Sequence, residues 1–160
     1  MALRRAGEGG DAFMRRIAFL PVLFFILVLF SAGTVFGQVQ TRIRAIEASN
    51  VGFGIDPSLR DVHRELGSLF SFTSYRLLRD ETLNLLPNQT VLIQGHHPGR
   101  FMEVTLLGLR RNVATLRIRV IREGMVILNT EIRLFPGRTV LIGGPRRGEA
   151  VVIFAVSARF

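Results

Sequence analysis

The 160-residue sequence predicts an α+β fold, mainly antiparallel β, behind an N-terminal signal segment. The β part is expected to be a sandwich or open barrel of about seven to nine strands with one amphipathic helix. Three observations carry this prediction. From Ser71 onward apolar residues recur with period two, and turn signals return at short, regular intervals. Helical spacing is confined to one stretch that opens at Asp56-Pro57. Near the N-terminus lies a charge-free apolar run whose flanks mark it as a targeting element and not as core.

Four arginines (Arg4, Arg5, Arg15, Arg16) precede Ile17–Phe30, 14 residues without a polar side chain, and Ser31, Ala32 and Gly33 follow. That is the basic, apolar and small-residue order of a secretory signal. Val35 and Gly37 suit the positions before a cut ahead of Gln38, so residues 1–37 are expected to be removed and residues 38–160 to form a single β-rich domain. The rival is a retained anchor. Ile17–Thr41 holds no charge over 25 residues, enough for a helix to cross a bilayer, which would tether the domain to the inner membrane through residues 17–37. Pro21 and the concentration of apolar residues before Ser31 favour cleavage. Met14 followed by Arg15-Arg16 also makes a signal start by itself, so residues 1–13 are an alternative overlong beginning. The expected location is outside the cytoplasm, in a bacterial periplasm.

Within the domain, Thr41–Ala48 reads as a first strand, with Ile43 and Ala45 in phase and Ile46 out of phase. Asp56 is placed as N-cap and Pro57 at the first helical position of a helix running to Phe70, burying Leu59, Val62, Leu66 and Leu69. Val113–Ile121 turns Leu116, Ile118 and Val120 to one side and Thr115, Arg117 and Arg119 to the other. Arg122-Glu123-Gly124 reverses the chain into a partner strand with Val126, Leu128, Thr130, Ile132 and Leu134 on one face, an antiparallel hairpin with one wet side. The segment Leu85–Gly95 recurs 49 residues later as Leu134–Gly144, each copy followed by a glycine four positions on, Gly99 and Gly148. Such a pair predicts two equivalent corners of a sandwich or barrel.

Composition narrows the function classes. All 21 basic residues are arginine, and the domain after Gly37 keeps 17 of them against ten acids. A basic surface favours anionic partners, yet the arginines stand singly or in pairs, unlike a nucleic-acid-binding arm, so nucleic acid is disfavoured. Absence of cysteine excludes disulfides, thiolate catalysis, Cys-ligated metal and a lipoprotein anchor. His96 and His97 are adjacent but lack a third ligand at suitable spacing, and no metal or cofactor is expected. Gly143-Gly144-Pro145-Arg146-Arg147-Gly148 lacks the Lys-Ser/Thr of a phosphate loop and reads as a hairpin turn showing two arginines. Asp80-Glu81 is a close carboxylate pair whose members should face opposite sides of a strand, while Ser71, Ser74 and Ser157 have no recognisable His and Asp partners. An enzyme is not expected, and no catalytic residue is assigned.

The expected function is a non-enzymatic envelope module that binds or scaffolds a protein partner, docking by an edge strand. The alternative is a binder of anionic glycolipid or polymer through the hairpin arginines Arg110, Arg111, Arg146 and Arg147. A third class, a small outer-membrane barrel, is suggested by the terminal Phe160 after alternating apolar residues but opposed by one Tyr and no Trp. Residues 46–160 also resemble small exported bacterial proteins of unknown function. The resemblance rests on the Asp-Pro helix start, the Phe72-Thr73-Ser74-Tyr75-Arg76-Leu77-Leu78 segment and the closing Val-Leu-Ile-Gly-Gly-Pro hairpin. It implies an envelope location and no activity.

Overall fold

The structure is a computed structural model that describes residues 37–95 and 98–160. Apart from Gly37, the signal segment, and with it the Met14 start, falls outside the described residues, as do His96 and His97. The described chain forms nine strands: β1 Val39–Ser49, β2 Gly54–Ile55, β3 Ser74–Leu85, β4 Thr90–Gln94, β5 Arg100–Arg110, β6 Val113–Arg122, β7 Met125–Leu134, β8 Thr139–Arg147 and β9 Ala150–Arg159. They divide into a five-stranded sheet, β2-β3-β1-β9-β8, and a four-stranded sheet, β4-β5-β6-β7. All strand pairs are antiparallel except the short β2–β3. This is the sandwich alternative of the expected fold class, with one α-helix, α1, at His63–Leu69.

Two cores share the larger sheet. Val39 and Ile43 of β1 and Val152, Phe154 and Val156 of β9 face Val104, Leu106, Leu116 and Ile118 of the smaller sheet. On the other face of the same two strands, Ile46, Ala48, Ile153 and Ala155 meet Leu59, Val62 and Leu66 of the helical segment. The out-of-phase Ile46 is thereby explained, because β1 is buried on both sides. In β3 a bulge opposite Ala45/Ile46 sends Leu78 to the first core and Leu77 to the second.

The helix departs from its sequence prediction. Asp56 caps as expected, its carboxylate accepting from the Ser58 backbone N–H at 3.0 Å, and Pro57 follows. The first turn, however, is a 3-10 helix, Pro57–Leu59, and α1 begins only at His63. Arg44, buried in β1, directs its guanidinium at the Ser58 carbonyl (3.5 Å), while the Val62 N–H bonds to Leu59 O at 3.1 Å. The tightened turn changes the phase, so Leu69 ends up exposed while Leu59, Val62 and Leu66 stay buried. A helix this short depends on those three anchors, each contributing about 1.5–3 kcal/mol of burial.

The predicted hairpin β6–β7 is present, turning through Glu123 (φ 51°) and Gly124 (φ 80°). A bulge pairs Val120 with Leu128 but Ile121 with Val126, so Ile127 packs on the core and Val126 is exposed, contrary to strict alternation. The repeat corresponds to the two connections that cross between sheets, β3 to β4 and β7 to β8. At each, a proline precedes a residue of positive φ, Asn88 at 62° and Gly137 at 71°. Each turn closes with an equivalent hydrogen bond, Gln89 N–H to Leu86 O at 3.0 Å and Arg138 N–H to Phe135 O at 3.1 Å. A two-turn copy in the sequence is therefore a two-corner copy in space.

Candidate functional site: an arginine-ringed slot between the sheets

The two ends of the sandwich differ in construction. At one, here the corner end, lie both sheet crossings, the β5–β6 turn, Gly37 and Phe160. At the other, the hairpin end, β4–β5 and β6–β7 return within the smaller sheet and β8–β9 within the larger. No backbone connection joins the sheets at the hairpin end. Core residues reflect this: Val39, Leu85, Leu106 and Leu134 near the corners are fully buried, whereas Ile93, Met102, Val120 and Val152 near the hairpins keep 8–9% of their surface exposed.

An apolar cavity of about 110 Å³ occupies this hairpin end. Ala45, Leu78, Ile93, Met102, Val120 and Phe154 line it, together with Arg79, Arg100 and Arg147. A smaller pocket beside it shares Arg100 and Arg147 and adds Arg122 and Arg146. The cavity approaches the volume of an apolar pocket that accepts benzene, about 150 Å³, so it suits a short alkyl chain or a single ring.

Strand register supplies the ring of charge. Met102 pairs with Val120 on the inner face, and one inward-pointing step further along each strand Arg100 pairs with Arg122. Like charges directly opposite in an antiparallel pair oppose each other. Neither guanidinium has a hydrogen bond or ion pair among the described residues. Arg79, paired with Ala45, points the same way; its Nε donates to Glu81 at 2.7 Å and its Nη1 donates to the Gln94 carbonyl, lacing β3 to β4. Glu47 accepts from Arg76 at 2.7 Å and from Arg147 at 3.4 Å. Four arginines (Arg79, Arg100, Arg122, Arg147) thus line the slot and the pocket beside it, with Glu47 and Glu81 already held by arginines and Glu123 and Glu149 in the adjacent turns.

The four arginines expected to contact an anion do not form one site. Arg146 and Arg147 lie at the hairpin end, Arg147 in the ring and Arg146 exposed beside it. Arg110 and Arg111 occupy the β5–β6 turn at the corner end, where Arg111 (φ 48°) and Asn112 (φ 63°) reverse the chain. The length of β5 separates Arg110 from Arg100, about 33 Å at the rise of a strand.

The carboxylates are mostly occupied. Asp80 accepts from Arg42 Nε at 2.8 Å and Glu81 from Arg79, so the adjacent pair faces two directions. Arg42 holds the Asp80 carboxyl below the usual range, and Arg44 does the same for Asp61. The hydroxyl and N–H of Ser58 lower Asp56. Among the described residues no group of three or more His, Asp or Glu is placed to hold a metal ion. Likewise, no described helix is long and apolar enough to cross a membrane.

Comparison with known proteins returned no matching family model, no matching curated protein and no matching solved structure.

Proposed function

We propose that this domain is a non-enzymatic, exported binding module whose ligand is an anionic amphiphile of the cell envelope. A short apolar portion of the ligand enters the slot between the sheets, and its acidic group rests on the arginine ring. The observation that carries this reading is Arg100, which lines the apolar cavity, set directly across from Arg122 of the adjoining pocket, with no carboxylate on either among the described residues. An anion between them removes a repulsion that the unliganded domain bears. Edge-strand docking of a protein partner has less support. Of the edges, β8 bulges against β9 between Gly143 and Arg146 and carries Pro145, which has no N–H to offer, and β4 is five residues long, which leaves the ten-residue β7 as the edge a partner strand would use.

Hexyl phosphate, hexanol and inorganic phosphate separate the contributions. Calorimetric titration should show hexyl phosphate binding, with affinity falling steeply as salt is raised, and neither half-molecule matching it. Arg100→Ala with Arg122→Ala should lower affinity at least tenfold, and Ala45→Leu, which fills the slot, should do the same at unchanged charge. Equal binding of hexanol, or binding indifferent to salt, sinks the reading.

A further inference from the structure

The corner end carries a second basic surface, on which the ligand reading does not depend. Leu86 and Phe135, equivalent positions of the two sheet crossings, protrude there at 46% and 54% exposure. Around them stand Arg110, Arg111, Arg133, Arg138 and Arg159, none with a side-chain hydrogen bond or ion pair among the described residues. The acids nearest them, Asp61 and Asp80 beside Arg159, are each held by an arginine of β1, so among the described residues the corner end stays net basic.

The same end receives the chain. A Cβ placed on Gly37 would lie 3.2 Å from Leu109, beside the Arg110-Arg111 turn. Only six residues separate Gly37 from Phe30, the end of the apolar run Ile17–Phe30, a reach of about 25 Å at most over the seven steps. The hairpin end is a further ~33 Å away along β1. Before cleavage, or where the run is retained as an anchor, a bilayer that takes it up comes within reach of the corner end first, and two apolar tips among arginines are the chemistry that settles at an anionic lipid interface.

We propose that the corner end docks on an anionic lipid bilayer, with Phe135 and Leu86 entering the headgroup boundary and Arg110, Arg111 and Arg138 on the lipid charges, which leaves the slot at the hairpin end facing the aqueous side. The chain has no tryptophan, so single-tryptophan reporters read orientation directly. Phe135→Trp and, at the hairpin end, Phe53→Trp (93% exposed) each replace a side chain that supports little packing. The full chain is reconstituted in vesicles of phosphatidylglycerol and phosphatidylcholine, or of phosphatidylcholine alone, containing brominated acyl chains. Indole fluorescence of the Phe135→Trp variant should be quenched in the anionic vesicles and not in the neutral ones, and that of Phe53→Trp in neither. Arg110→Ala with Arg111→Ala should lower the docked-to-undocked ratio about 30-fold, roughly fivefold per arginine near an anionic surface, with native-like circular dichroism. Quenching of the Phe53→Trp reporter alone, of both reporters, or of neither overturns the proposal, as does equal quenching of Phe135→Trp in neutral vesicles.

Discussion

The ion pair between Arg44 and Asp61 should be strongly asymmetric when dissected. Arg44 is 2% exposed and gives Asp61 two hydrogen bonds, at 2.7 and 2.9 Å, while the Asp61 side chain remains 56% exposed. Asp61→Ala strands a guanidinium under the helical segment with only the 3.5 Å contact to Ser58 O. Breaking a buried pair from the water-accessible side costs about 3–5 kcal/mol, and the open flank of the site places this case near the lower figure. Arg44→Met keeps most of the volume and frees Asp61 into solvent, so its cost is about 1 kcal/mol or less. The double variant should match Arg44→Met alone, because the charge that Asp61 neutralises is gone. Urea unfolding of the domain reads this directly. With a slope of about 2 kcal/mol per molar, Asp61→Ala should lower the midpoint by roughly 1.5 M at unchanged slope, and Arg44→Met by less than about 0.5 M. If Asp61→Ala proves milder than Arg44→Met, the burial argument is wrong.

Two further outcomes follow from single groups. Thr41 is fully buried on the inner face of β1, and its Oγ1 has no partner among the described residues; Thr41→Val should therefore stabilise by about 1 kcal/mol, raising Tm by roughly 3–6 °C in a calorimetric scan, and any loss of stability refutes the unpaired hydroxyl. Asp61 and Asp80 have folded-state pKa values held down by Arg44 and Arg42, which means their contribution is complete above the unfolded carboxylate value near ~3.9 and is lost as pH falls through the lowered folded values. The urea midpoint should accordingly hold from pH ~7 to about 4 and then drop, with Asp80→Asn flattening part of that drop; an unchanged acid limb in Asp80→Asn counts against the pairing.

Much of the sandwich is readable from residues whose signals are local. Alternation places β6 and most of β7, and the proline turns at 87–88 and 136–137 announce both corners as a repeat. The helix break is not local: it follows from Arg44, which sits between Ile43 and Ala45 like any solvent-facing strand residue and is buried only because the helical segment folds over it. The bulges opposite Ala45 and at Val120/Ile121 likewise answer to the curvature of the packed sheets, which no window of sequence contains. The slot has a weaker but real signature. Arg100 continues the inward phase of Met102, Val104 and Leu106, and Arg122 that of Val120, Ile118 and Leu116. A charged residue extending an apolar phase at a strand end marks a mouth, whereas paired arginines such as Arg110-Arg111 attract notice without being in one.

The cavity belongs at the hairpin end for a reason built into the connectivity. Leu85 and Leu134 enter the two crossings fully buried, so the backbone itself fixes the sheet separation at the corners. Opening the other end requires only the lack of a covalent stitch, since its hairpins hold strands within a sheet and not sheets to each other. What crosses there is the Arg79 contact to the Gln94 carbonyl and whatever side chains meet in the middle. Aliphatic residues at positions 100 and 122 would zip the inner faces together and close the slot. Two guanidiniums in that register keep the faces apart, because burying either without an anion costs more than the apolar contact it would gain. The same pair that the proposed function sets against an acidic group is, for this reason, what keeps room for the ligand's apolar portion.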